Sequence, residues 1–167
     1  MELTNTKGGK MKYILTFLSI IILFSATVNA QEKNDNKVER DAIVKTIEDG
    51  YRDGLGNLGD VELAKKNFHP GFNILGLNQK NNALWKYPIY SWIENVERNK
   101  VNDKYPPAEE ITFEFPMIDI TGNAAVAKVA YFEGGKQIYV DYLSLYKFKE
   151  GWKIVNKIFY ALPTEEK

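Results

Sequence analysis

Apolar residues recur along this chain at two different periods, and the change of period divides it into two halves. Val38, Ala42, Ile43, Ile47 and Tyr51 follow one another at spacings of four, one, four and four, which places them on one face of a helix. Asn34 to Asn36 offer cap candidates, and the glycines at 50, 54, 56 and 59 are expected to end that helix or loosen its end. Asp60 is placed to cap a second, shorter helix buried through Leu63, Ala64 and Phe68. Pro70 stops it, because the residue before a proline is pushed out of helical geometry. A short strand over Phe72–Leu77 and a polar loop follow. Pro88 then suits the first turn of a third helix that carries Ile89, Trp92, Ile93 and Val96 on one side. Beyond Pro106-Pro107 the pattern changes to four strands, Glu110–Ile120, Ala124–Phe132, Ile138–Phe148 and Trp152–Leu162. They are separated by Thr121-Gly122-Asn123, Glu133-Gly134-Gly135-Lys136 and Lys149-Glu150-Gly151, all of them hairpin chemistry. Helices first and long antiparallel strands afterwards make the class α+β.

The hairpins predict which side chains share a face. With Gly134-Gly135 as a tight turn, Lys128 lies opposite Asp141 and Ala130 opposite Tyr139. With Glu150-Gly151 as the next turn, Leu145 faces Asn156 and Asp141 faces Tyr160. Because side chains alternate between faces, Lys128, Asp141, Asn156 and Tyr160 then share one surface with Leu143, Leu145 and Ile158. Tyr131, Tyr142, Tyr146, Phe148 and Phe159 share the other. Both surfaces are too apolar to be left to water, so one is expected to hold the helices. The tyrosine-rich one is expected to pair two copies of the chain, since exposed patches of that kind mark interfaces. The register of 110–120 stays open: a three-residue turn at Thr121–Asn123 exchanges Phe113, Phe115 and Met117 with Glu114 and Pro116.

The first thirty residues obey a different rule. Lys7, Lys10 and Lys12 precede an unbroken apolar run from Tyr13 to Phe24, and small residues lead to Val28-Asn29-Ala30. This is the tripartite form of a cleavable export signal, with cleavage expected between Ala30 and Gln31, and Met11 is an alternative start. The run is shorter than the roughly 18 residues of a membrane-spanning helix, so no stable membrane anchor is expected. Residues 31–167 then form a single domain, periplasmic or extracellular. Of the 22 basic and 22 acidic side chains, the signal takes Lys7, Lys10, Lys12 and Glu2, which leaves an excess of two acids and nothing to attract nucleic acid. The absence of cysteine rules out disulfides, and with one histidine it argues against a zinc site; no metal or cofactor is expected.

Val140-Asp141-Tyr142-Leu143-Ser144-Leu145 and Gly151-Trp152-Lys153-Ile154-Val155-Asn156-Lys157-Ile158-Phe159 resemble the putative lumazine-binding family. Tyr51 beside a glycine, Phe68-His69-Pro70 and Gly122-Asn123-Ala124-Ala125-Val126-Ala127-Lys128-Val129 fit it too. That family sits in the nuclear transport factor 2-like superfamily, alongside ketosteroid isomerase, scytalone dehydratase and SnoaL-like cyclases. The resemblance implies a cone-shaped roll, a curved antiparallel sheet with three helices over its concave face, a pocket between them and a homodimer. It does not by itself imply a function, because this fold hosts many.

Placed in such a pocket, Lys128 and Asp141 form a candidate ion pair in an oily wall, with Asp141 held ionised as a hydrogen-bond acceptor or weak general base. Asn156 orients a ligand or satisfies a backbone group. His69, which the resemblance sets near the pocket mouth, is a candidate acid or base toward Asp141 or a surface histidine. Tyr51, Trp85 and Trp92 wall the pocket or belong to the core, and Tyr160 shares the face. The glycines at 54, 56 and 59 follow a helix and lack the Lys-Ser/Thr ending of a phosphate loop. Three functions follow in order of preference: an exported module binding a small apolar or aromatic molecule, an interaction domain with a vestigial pocket, and an isomerase, dehydratase or cyclase working through Asp141 and His69.

Overall fold

The computed structural model describes residues 36–163, so the expected export signal over residues 1–30 and its cleavage point lie outside the described residues. Residues 40–163 pack as one compact unit. Its first helix, α1, runs over residues 36–47 and continues as a π-helix over Glu48–Asn57. Of the glycines expected to end the helix or loosen its end, Gly50, Gly54 and Gly56 lie within the π turns, and Gly59, at φ +56°, follows them. A side chain at Gly54 would sit 2.7 Å from the backbone nitrogen of Ala64, so the π turn and α2 (Val61–Asn67) touch backbone to backbone. Asp60 caps α2 as expected, its side chain accepting from the N–H groups of Glu62 and Leu63. The third helix, α3 (Ile89–Val101), begins directly after Pro88 and buries Ile89 and Val96, with Trp92 and Ile93 packed against the core.

Among the described residues six strands form one curved, unclosed sheet in the order β2-β1-β6-β5-β4-β3. They are β1 (Phe68–Asn78), β2 (Ala83–Pro88), β3 (Ile111–Thr121), β4 (Ala124–Glu133), β5 (Lys136–Phe148) and β6 (Gly151–Ala161). The four hairpin-linked strands stand where the alternation places them. The sheet is mixed rather than wholly antiparallel, because β1 runs parallel to β6. The helix and strands between them supply the long crossover a parallel pair needs. Pro70 falls inside β1, in the unpaired stretch between Phe68 and Asn73 where no ladder N–H is required. Among the described residues no helix is long and apolar enough to cross a membrane.

The register differs from the hairpin expectation, and the cause is the same on three strands. Glu133 does face Lys136, but Phe132 pairs with Gln137 and Tyr131 with Tyr139, leaving Ile138 as an extra residue on β5. Phe148 faces Gly151, so the next turn is Lys149-Glu150. An extra Val155 then separates the Leu145–Ile154 and Ser144–Asn156 pairs. On β3 a third irregularity lies between Glu114 and Met117, so Phe113 and Phe115 pack inward while Met117 faces out. Each bulge bends its strand and exchanges the two faces beyond it. Lys128 therefore pairs with Tyr142 rather than Asp141, and Asp141 pairs with Val129 and Phe159. The helix-facing surface is Ala125, Ala127, Val129, Tyr131, Asp141, Leu143, Leu145, Ile154, Lys157 and Phe159. All of them are buried except Phe159, which packs against the core half-buried. Tyr131 and Phe159 thus leave the face proposed for dimerisation, which retains Tyr142, Tyr146 and Phe148 and gains Ile158 and Tyr160, all exposed.

Candidate functional site

The π-helix, α3 and strands β1 to β6 converge on a cleft of about 310 Å³. Tyr51, Trp85, Trp92, Tyr131, Tyr139 and Phe159 wall it with rings, Leu55, Ile74 and Ile111 add aliphatic surface, and Lys157 and Glu133 contribute charge. The rings hold one another by their edges and faces. Tyr51 meets Trp92 at 5.4 Å between centroids and Phe113 at 5.0 Å, and Tyr139 meets Phe159 at 5.7 Å, spacings at which aromatic pairs attract. Trp85 is 41% exposed and lies across Gly76 on the neighbouring strand, a position that any side chain at residue 76 would occupy.

Tyr51 and Lys157, which line the cleft, interlock with a third polar group, Asp141, behind them. Asp141 is wholly buried, and its Oδ2 accepts from the Tyr51 hydroxyl at 2.9 Å and from Lys157 Nζ at 2.7 Å. Lys157 also donates to the Tyr51 oxygen. Its ammonium lies 4.5 Å from the Tyr51 ring centre and 5.4 Å from that of Phe159, with Trp92 and Tyr139 slightly farther, so four aromatic rings surround one cation. Lys157 thus holds both Asp141 and Tyr51, and it lines the cleft. Asp141 Oδ1 is buried without a partner among the described residues.

Burial sets the ionisation of this trio. It lowers the Lys157 pKa from 10.5, because an ammonium is poorly solvated among rings, while Asp141 opposes the change. Burial, and then the Asp141 charge, drive the Tyr51 phenol well above its ordinary 10.0, so Tyr51 stays a neutral donor. At the rim, burial and then Glu133 push the Tyr131 phenol up as well, and its hydroxyl donates to Glu133 at 3.0 Å. A buried ion pair of this kind is held by geometry, since desolvation offsets much of its attraction.

Of the residues singled out in the sequence, Tyr51, Trp92 and Asp141 come together here, and Trp85 joins them at the rim. The other four stand elsewhere. Lys128 lies on the outer face with its ammonium 5.9 Å from the Tyr142 ring centre. Asn156 donates to the backbone oxygen of Asn73 at 3.1 Å and so fastens β6 to β1. Tyr160 is exposed opposite Val140. His69 stacks on Phe148 at 5.1 Å while its Nδ1 accepts from the Gly71 N–H, so of its two alternative roles the pairing with Asp141 is not assembled. Lys157 was missed because it is the residue next to Asn156, and one bulge decides which of the two faces inward. Among the described residues no three histidine, aspartate or glutamate side chains converge as a metal site.

A family model described as "Putative lumazine-binding" matches residues 38–160. An NTF2-like (nuclear transport factor 2-like) protein of unknown function from Shewanella baltica OS155 is 27% identical. That match spans 75% of this chain and 95% of that one, with a TM-score of 0.60. A second NTF2-like protein, from Methylobacillus flagellatus KT, is 25% identical over 74% of this chain and 91% of its own, at a TM-score of 0.55. A third, from Silicibacter pomeroyi DSS-3, shares the fold at 17% identity and a TM-score of 0.58, over 78% of this chain and 98% of its own. No curated protein matches the chain.

Proposed function

This chain belongs to the putative lumazine-binding family of the nuclear transport factor 2-like superfamily, and on that premise we propose that its cleft binds a small, flat, aromatic molecule bearing an oxygen acceptor. The observation that carries this reading is Lys157, a cation ringed by Tyr51, Trp92, Tyr139 and Phe159 and lining the cavity. Ligand sites are mostly apolar with a few convergent polar groups, and about 310 Å³ is at the small end of their range, room for one or two rings. Lumazine, a flat heterocycle edged with oxo groups, has the chemistry such a site selects. So does a simple aromatic carboxylate. Binding is favoured over isomerase, dehydratase or cyclase chemistry through Asp141 and His69, because His69 stacks outside the cleft on Phe148.

Thermal-shift measurements with lumazine, benzoate and the uncharged benzyl alcohol test the reading. Stabilisation by lumazine or benzoate that exceeds that by benzyl alcohol supports it, and no shift with any of the three refutes it. We also place the domain outside the cytoplasm, on the strength of the basic start, the apolar run and Val28-Asn29-Ala30. A mature N-terminus at Gln31 in cells is the expected result, and an intact Met1 or Met11 terminus overturns it. The exposed Tyr142, Tyr146, Phe148, Ile158 and Tyr160 support a homodimer through the outer sheet face in place of the interaction-domain reading.

A further inference from the structure

The trio of Lys157, Asp141 and Tyr51 has the arrangement of an activated nucleophile: an amine, a base within hydrogen-bond reach of it, and a third group that orients the base. Lys157 Nζ lies 2.7 Å from Asp141 Oδ2, and the Tyr51 hydroxyl, donating to that same oxygen at 2.9 Å, fixes the carboxylate. Lys157 lines a cavity large enough for a ring, and its amine is shielded from water by aromatic side chains. Exposed lysines such as Lys45 and Lys65 have neither the cage nor the cavity. We infer that Lys157 captures aromatic or conjugated aldehydes in the cleft as a Schiff base, with Asp141 as the proton relay and the counter-ion. The inference rests on the binding reading above and adds covalent chemistry to it.

The ammonium of Lys157 first passes a proton to Asp141. Its lone pair then forms the C–N bond while the C=O π pair moves to oxygen, and a proton moving from nitrogen to that oxygen gives a neutral carbinolamine. Loss of water uses the proton held by Asp141: the C–O bond breaks, the nitrogen lone pair forms C=N, and a protonated imine remains beside the regenerated carboxylate. The net change is one ammonium plus one aldehyde giving one iminium and one water, with the charge conserved. Burial, which lowers the affinity of Lys157 for its proton, favours the first step, and a compact neutralising carboxylate favours the last.

Reductive trapping tests this. The protein is incubated at neutral pH with benzaldehyde or cinnamaldehyde and sodium cyanoborohydride, and the adducts are weighed and mapped to peptides. A single adduct on Lys157, formed at least ten times faster than on any exposed lysine and slowed by benzoate, is the expected result. Adducts spread evenly over surface lysines overturn the inference, and so does a dominant adduct that survives Lys157→Arg. The peptide map of the unaltered protein decides the matter even where that variant does not fold. Benzoate or lumazine binding without any trapping at Lys157 removes this inference and leaves the binding function standing. Absence of both binding and trapping removes the two together.

Discussion

Lys157 on β6 and Asp141 on β5 meet at 2.7 Å although neither is the other's cross-strand partner: Asp141 faces Phe159, and Lys157 faces Leu143. They are diagonal neighbours on one face, a separation that a long side chain spans. Asp141 is wholly buried, and Lys157 nearly so. Removing one partner strands the other charge away from water. Lys157→Met or Asp141→Leu alone is therefore expected to cost about 3–5 kcal/mol in urea unfolding. The double variant should cost clearly less than the two together. Additive losses would mean that the charges do not depend on each other.

Tyr51 gives the cleft an alkaline signature. Its phenol titrates above the ordinary 10.0 in the folded state, so the stability it contributes is complete below pH 10 and is lost as pH rises from there toward the folded value. Lys157 works in the opposite sense, its burial penalty being relieved as pH climbs toward 10.5. The advantage of the native protein over Tyr51→Phe should thus shrink above pH 10 by about 1.4 kcal/mol per pH unit. Unfolding curves at pH 8, 10 and 11 measure it, and a constant difference would show that burial does not hold the proton on Tyr51.

Much of this arrangement is legible in the residues alone. The four-residue spacing from Ile43 to Tyr51 puts Tyr51 on the buried face, and Ile89, Trp92 and Val96 repeat that logic on α3. The hairpin turns give β3 to β6 their bounds within a residue or two. What the pattern hides is the bulge. An extra Ile138 or Val155 leaves composition and alternation nearly unchanged yet exchanges the faces beyond it, so Asn156 takes the backbone of β1 and Lys157 takes the cleft. The edge strand β2 is hidden for another reason. From Ala83 to Lys86 it is exposed, and an edge strand that buries so little carries no strong apolar signal.

Trp85 depends on a glycine for its place over the cleft. Any β-carbon at residue 76 collides with the Trp85 indole, which meets Phe159 edge-on at 6.1 Å. Gly76→Val is expected to expel the indole into water, seen as a red shift in tryptophan emission with the fold retained in far-ultraviolet circular dichroism. Ligand affinity should fall with it. Unchanged emission would place Trp85 elsewhere in solution.

The outer face predicts an assembly. Tyr146 is 50% exposed beside Tyr142, Phe148 and Ile158, and a contiguous apolar patch of this kind favours association. Sedimentation equilibrium of the native protein should give a dimer, and Tyr146→Glu with Ile158→Glu should give a monomer that still binds ligand. A native monomer, or a dimer untouched by both charges, would exclude this face as the contact.

The inward aim of Lys157 is the claim on which the cleft, its ligand and its chemistry all depend, and a tryptophan-fluorescence titration with lumazine measures it most directly. Trp85 and Trp92 both line the cavity and report its occupancy. The native protein should show saturable quenching. In Lys157→Met the affinity should fall at least tenfold, about 1.4 kcal/mol, while Asn156→Ala binds as the native protein does. Equal affinity in Lys157→Met, or a loss confined to Asn156→Ala, would contradict the account.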